Sequence, residues 1–339
     1  MRKEKKERQV DIGGQAVMEG VMMKSSDAIA VAVRRPSGDI VVDRADYAPA
    51  SKKHKWMGWP IVRGCVNMVS MLVMGMGVLN KSTQMLGVLD EEPSKFEIWL
   101  SEKLGANIDK VVMGVAAVLA VCLSLFLFVM LPSGAATLIG RVVDNAIVIN
   151  LCGGVVRIAI LIAYIWLMGL LPDLRRVFQY HGAEHKTVFC HEAGLPLTPE
   201  NARQFSRLHP RCGTSFLLLV MVISILVGSV ADQVIIALTS IEKLSFGLRF
   251  LRSLLILPLI AGISYEALKG LAHSDNAFVR ALRWPGLMMQ KLTTREPDDQ
   301  MLEVAIASMK AALGTVADAA PAKQWNPQEA PQTVQAASE

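Results

Sequence analysis

Residues 111–131 are 21 consecutive amino acids without a charged side chain. A bilayer offers no water to unpaired backbone groups, so a run of about 20 apolar residues reads as a membrane-spanning helix. Two further segments read the same way. Residues 212–231 are 20 and uncharged, and residues 146–171 are apolar apart from Asn150 and Arg157. The fourth span, 246–271, is the weakest, because only 13 residues, 253–265, separate Arg252 from Glu266. Arg249, Arg252 and Lys269 can snorkel from its ends.

A fifth run, 64–80, has 17 uncharged residues but carries Gly64, Asn67, Gly75, Gly77 and Asn80. Orientation bears on it. Residues 1–60 hold 12 Lys/Arg, 172–211 hold six and 272–339 hold six, against one each in 132–145 and 232–248. Basic loops stay in the cytoplasm. That places the N-terminus, the 172–211 loop and the C-terminus inside, which four spans satisfy and five do not. Residues 64–80 are therefore expected to be re-entrant, interfacial or packed against protein rather than crossing.

The whole reads as a mainly α integral membrane protein with about four transmembrane helices. Hydrophobic residues make up 52% and charged residues 19%, which excludes a disordered chain. A net charge of +5 without a basic recognition helix argues against nucleic acid as a partner. Five cysteines without a C-x-x-C are not a disulfide framework. The basic residues 1–10 lack a following apolar stretch, so no secretory signal is expected.

Outside the spans, 28–33 and 40–42 are β-rich and flank the turn Arg35-Pro-Ser-Gly-Asp39, which reads as a β-hairpin. Before it, three glycines flank Gln15 and Glu19, consistent with either a tight loop near a site or a Gly-bounded strand. Residues 297–313 repeat apolar side chains at helical spacing after Pro297, Asp298 and Asp299. The expected organisation is a cytoplasmic N-terminal region (1–60), a membrane-associated or re-entrant segment with a cytoplasmic helix (61–109) and a four-helix transmembrane domain (110–271). A cytoplasmic amphipathic region (272–313) and a disordered tail (314–339) follow.

The cytoplasmic loop 172–213 carries the chemistry. Four of the six histidines lie between 181 and 209. Tyr180-His-Gly-Ala-Glu-His-Lys186 contains H-x-x-E-H, in which His181 and His185 share a helix face and Glu184 can act as general base. A short helix is expected from a Thr198 cap to about Leu208, and Gly194-Leu-Pro196 would fold it back as a helical hairpin. That would bring His209 and Cys212 toward His181 and His185, enough to hold a divalent metal such as Zn. Cys190 and Glu192 are further candidate ligands. Ordinary packing and capping of these histidines is the competing reading. Arg175, Arg176, Lys186, Arg203, Arg207 and Arg211 would also attract anionic lipid headgroups at the bilayer.

Two charges lie within apolar stretches. Glu266 reads as a late metal ligand, a counter-ion of Arg63, or a snorkelling helix end. Arg157 is expected to pair with a helix C-terminus or a loop carboxylate.

Four blocks together resemble the YqhQ-like family of bacterial multi-pass membrane proteins, of unknown function and described as metal-dependent enzymes. They are Gly14-Gln-Ala-Val-Met-Glu-Gly-Val-Met22, residues 180–186, His209-Pro-Arg-Cys-Gly-Thr-Ser-Phe216 and Thr294-Arg-Glu-Pro-Asp298. The resemblance runs over roughly residues 10–310. It implies the bacterial cytoplasmic (inner) membrane and a metal at the His/Cys blocks, with His181, His185, His209 and Cys212 as ligands in preference to His191. It implies no particular reaction. A metal-dependent hydrolase at the inner leaflet, with Glu184 as base, is one function these residues suggest. The alternative is a scaffold that recruits partners around a structural metal. A carrier lined by Arg157, Glu266 and Arg63 has less behind it.

Overall fold

The computed structural model describes residues 12–48, 55–87, 108–239, 245–272, 276–315 and 323–324. Four strands form an antiparallel meander in chain order: β1 (Gly13–Val17), β2 (Gly20–Lys24), β3 (Ala28–Arg34) and β4 (Ile40–Asp46). A two-residue strand, β5 (Lys323–Gln324), pairs parallel with the end of β4. The helices are α1 (Val62–Leu86), α2 (Ile108–Leu125), α3 (Leu131–Ile139), α4 (Ala146–Met168), α5 (Pro172–Glu192) and α6 (Pro199–Arg203). They continue with α7 (Gly213–Thr239), α8 (Phe246–Leu255), α9 (Leu257–Ala272), α10 (Ala277–Thr293) and α11 (Asp299–Leu313).

The chain divides into two compact units. One comprises Met1–Leu89, Ile165–Leu217 and Tyr265–Glu339; the other comprises Asp90–Tyr164 and Leu218–Ser264. The first is built around the sheet, which is covered on both faces. On one face Val21, Met23, Ala30 and Ala32 pack against Tyr180 and Ala183 of α5 and Met301, Val304, Ala305 and Met309 of α11. On the other, Val17, Met22, Ile29, Val31, Val33 and Val41 meet Met74, Val78, Met85 and Leu86 of α1. Successive strand residues point to opposite faces, so β2 and β3 are buried at nearly every position. The α11 face is lined by small residues on both sides. That lets the helix approach closely enough for Ser308 Oγ to donate to the Ala30 carbonyl at 2.9 Å.

The expected hairpin at 28–42 is present as β3–β4, but it is half of the sheet. Residues 13–24, left open between loop and strand, form a second hairpin, with Val17 opposite Gly20 across a two-residue turn. A Cβ on Gly20 would overlap the Ala32 carbonyl, so that position has to be glycine.

The C-terminal amphipathic helix begins two residues later than expected. Asp298 is its cap, accepting from the Met301 N–H at 2.8 Å, and Gly314 closes it in the left-handed region at φ 72°. The short helix after Thr198 stops at Arg203 rather than near Leu208. Lys186 Nζ donates to the carbonyls of Arg203 and Phe205 at 3.0 and 2.8 Å, drawing the chain out of the helix. Of the tail, 316–322 and 325–339 lie outside the described residues, as do 1–11, 49–54 and 88–107 of the two N-terminal regions.

Four helices are long and apolar enough to cross a membrane: Val62–Leu86, Gly114–Ile139, Ile147–Met168 and Leu217–Thr239. The segment 246–271 is not one straight span. It bends by 51° between α8 and α9, where Pro258 lacks the N–H that a continuous helix would need. The segment expected to be re-entrant, interfacial or packed against protein is one unbroken helix, α1. Half of it packs on the sheet, while Met71, Leu72, Val73 and Met76 are exposed.

In the second unit, Arg157 Nη1 donates to Ser224 Oγ at 3.0 Å rather than pairing with a carboxylate or a helix end. A hydroxyl one helix away is an available acceptor at that depth.

Candidate metal centre

Pro172 at the first position and Asp173 in the first turn start α5, and its 21 residues carry the whole H-x-x-E-H motif. His181 and His185 are one turn apart, with ring centroids 4.4 Å apart. Cys212 arrives from the segment that leads into α7. One ligand atom each from His181, His185 and Cys212 lies within 4.8 Å of the others. His181 Nε2 is 3.2 Å from Cys212 Sγ. A tetrahedral ion with ~2.1 Å Zn–N and ~2.3 Å Zn–S bonds would separate those atoms by about 3.5 Å.

The tautomers suit a metal. His181 Nδ1 lies 2.9 Å from the Thr293 carbonyl and His185 Nδ1 lies 2.5 Å from the Arg207 carbonyl. A carbonyl only accepts, so each Nδ1 carries the proton and each Nε2 presents its lone pair. Such backbone partners are the outer-shell contacts that orient metal-ligating histidines. His185 Nε2 is buried without a hydrogen-bond partner among the described residues. Burial also pushes the His185 pKa below its ordinary value, favouring the neutral form that binds metal. These residues fit a divalent ion.

His209 is held apart from that group. Its N–H and carbonyl are both bonded by the Gln290 side chain, at 2.8 and 2.7 Å. Its ring centroid is 5.7 Å from that of His185, and its Nε2 lies 3.3 Å from Glu192 Oε1. Arg211 pairs with the same carboxylate. Cys190 is in the core between sheet and helices, with Sγ 3.5 Å from the Pro196 carbonyl, away from the cluster.

Glu184 is buried beside the histidines. The Gly14 backbone N–H bonds its carboxylate, and a Cβ on Gly14 would lie 2.8 Å from Glu184 Cγ and 2.7 Å from the Met22 carbonyl. Burial raises the Glu184 pKa, and His181, His209 and the Gly14 N–H pull it part of the way back.

The N-terminal candidates support α5 from the sheet. Glu19, at φ 50° in the β1–β2 turn, pairs with Arg176 and accepts the Tyr180 hydroxyl at 3.2 Å. The Gln15 side chain lies against α1 at Gly75, where a Cβ would be 3.1 Å from Oε1. Arg63 Nε donates to Glu266 Oε1 at 2.6 Å, so Glu266 is a counter-ion rather than a late ligand. The basic residues of the loop are largely engaged within the protein. Arg203 pairs with Asp299, Lys186 and Arg207 with Glu296, Arg176 with Glu19 and Arg211 with Glu192.

The residues missed in the sequence are the supporting ones: Thr293, Gln290 and the Arg207 carbonyl. Residues 294–298 were conspicuous, and the reason is now visible. Gly182 has no side chain because the Arg295 carbonyl occupies that space, and the Arg295 N–H donates to the Phe178 carbonyl at 2.8 Å. All four conspicuous blocks meet around α5.

A helical chain with span-length apolar helices, with His181 and His185 on a sheet-backed helix and Cys212 brought beside them, is the class that fold and site define. Residues 59–315 match a family described as a protein of unknown function, DUF1385, and the chain belongs to that family. It is 32% identical over 309 residues to the uncharacterized protein YqhQ of Bacillus subtilis (strain 168), covering 89% of this chain and 92% of that protein. No solved structure matches it.

Proposed function

We propose that this protein is a metal-dependent hydrolase of the bacterial cytoplasmic membrane, acting at the inner leaflet on a peptide or a lipid-linked phosphate. The observation that carries the reading is the group His181, His185 and Cys212, three ligand atoms within 4.8 Å with buried Glu184 on the same helix. Three protein ligands with a fourth position left for water or substrate is the pattern of catalytic zinc sites. When bound, a divalent ion such as Zn supplies Lewis acidity toward water and toward a carbonyl or phosphoryl oxygen. Glu184 takes the proton from the attacking water and passes it to the leaving group. Thr293 and Arg207 fix the imidazoles through their carbonyls. The concentration of Lys/Arg in residues 1–60, 172–211 and 272–339 supports a cytoplasmic location for both ends and for the site. With one face on the sheet and the other apolar and exposed, α1 rests in the lipid without crossing it.

Metal analysis of the purified protein, wild type beside His185→Ala, tests the site. Hydrolysis of a quenched-peptide library and of a pyrophosphate-linked lipid tests the activity. Turnover that disappears in Glu184→Gln while metal is retained supports the hydrolase. A cysteine ligand and the 2% exposure of His185 favour a second reading, a scaffold with a structural metal. Full metal content with no turnover of either probe would select it.

A further inference from the structure

Three arginines share one cavity in the second unit. Arg157 comes from α4, and Arg249 and Arg252 come from α8, the first half of the bent pair. Asp232 is the carboxylate that bridges Arg249 and Arg252. It is 1% exposed, with Oδ2 3.2 Å from Arg249 Nη1 and 3.3 Å from Arg252 Nη2. Arg249 Nη1 also donates to Asn150 Oδ1 at 3.1 Å. Arg157 has the Ser224 hydroxyl and no carboxylate.

Arg157 is therefore without a carboxylate among the described residues, within a helix apolar enough to span a bilayer. Isolated charge at that depth is costly and is normally matched. The donors left over are Arg157 Nε and Asn150 Nδ2, both buried and without a partner among the described residues. Ser133 and Ser253 add hydroxyls to the lining. Small residues make the space. Gly153 and Gly154 line one side, and Gly228 on α7 has no side chain where Arg252 Nη1 lies.

A cavity with buried, unpartnered N–H donors and a guanidinium that meets no carboxylate among the described residues has the recognition chemistry of an oxyanion. The planar guanidinium fork matches phosphate in particular. We propose that the Arg157–Arg249–Arg252 cavity is a phosphate-binding site, with Arg157 and Asn150 donating directly to the phosphate oxygens and Asp232 holding the other two arginines in place. This site is separate from the metal centre and stands without it.

The phosphate can be free or part of an anionic lipid headgroup, and two arms of one experiment separate these sources. In the first, the full-length protein is reconstituted in phosphatidylcholine nanodiscs and binding of radiolabelled inorganic phosphate is measured against chloride at equal ionic strength. In the second, phosphatidylglycerol nanodiscs are used and retained lipid is read by native mass spectrometry. Saturable phosphate binding in the first arm, weakened about tenfold or more in Arg157→Gln, supports a free oxyanion. Retained phosphatidylglycerol in the second arm, lost in Arg157→Gln, supports a headgroup. Asn150→Leu is the second variant should Arg157→Gln not fold, and it should weaken the same binding. If the wild type binds neither, or binds equally well after both substitutions, the proposal is overturned.

Discussion

Gly182 of α5 lies directly against the backbone carbonyl of Arg295, leaving no room for a Cβ. Backbone cannot swing aside as a side chain can, so the smallest substitution separates the 294–298 segment from the helix. Gly182→Ala is expected to destabilise the first unit by about 1–3 kcal/mol. It should also lower metal retention, because Thr293, which orients His181, belongs to the same stretch. Hydrogen exchange across residues 172–192, with metal content measured alongside, checks both. Unchanged protection would mean that the contact is not required.

Arg63 and Glu266 are 203 residues apart and meet through two guanidinium–carboxylate contacts, each side chain 27% exposed. Breaking either partner should do most of the damage, so the double variant Arg63→Ala/Glu266→Ala should be little worse than the singles. Thermal unfolding of the three proteins in one detergent at one salt concentration measures this. Strictly additive losses would show the two residues to be independent.

The two loop cysteines should differ sharply. Cys212 Sγ lies within 4.8 Å of ligand atoms of His181 and His185, whereas Cys190 is a core residue whose thiol pKa is pushed up by burial. Cys190→Ala should keep the metal content of the wild type at a modest stability loss of about 1 kcal/mol. Cys212→Ala should lose the metal. Elemental analysis of both variants decides it, and metal loss from Cys190→Ala alone would reverse the assignment.

Topology has a direct test. Val142, 88% exposed in the connection after α3, should react with a membrane-impermeant maleimide in intact cells once changed to cysteine. Ser26→Cys, in the β2–β3 turn, should react only after permeabilisation. Labelling of Ser26→Cys in intact cells would invert the orientation.

The site was legible where its code is local. His181 and His185 one turn apart are visible in any helical reading, and Gly194-Leu-Pro196 announces the return that brings Cys212 back. The histidine partners are backbone carbonyls of Thr293 and Arg207, and a carbonyl has no signature in a sequence. Gln290 rides on α10, whose interior Pro285 obscures the helical pattern. The sheet was underestimated for a related reason. A strand covered on one face alternates apolar and polar residues, but β2 and β3 are covered on both, so no alternation survives. The break between α8 and α9 follows from Pro258, which hydropathy averages hide.

Ser308 reaches back 278 residues to the Ala30 carbonyl, because α11 closes one face of a sheet made at the other end of the chain. Synthesis at about 5–20 residues per second separates the two by roughly 15–55 s. Throughout that interval the ribosome is delivering apolar helices, and the buried strands β2 and β3 wait without their lid. Maturation of this domain is thus timed by the last helix to emerge. A nascent chain stalled before residue 299 would leave one face of the sheet open and prone to aggregation.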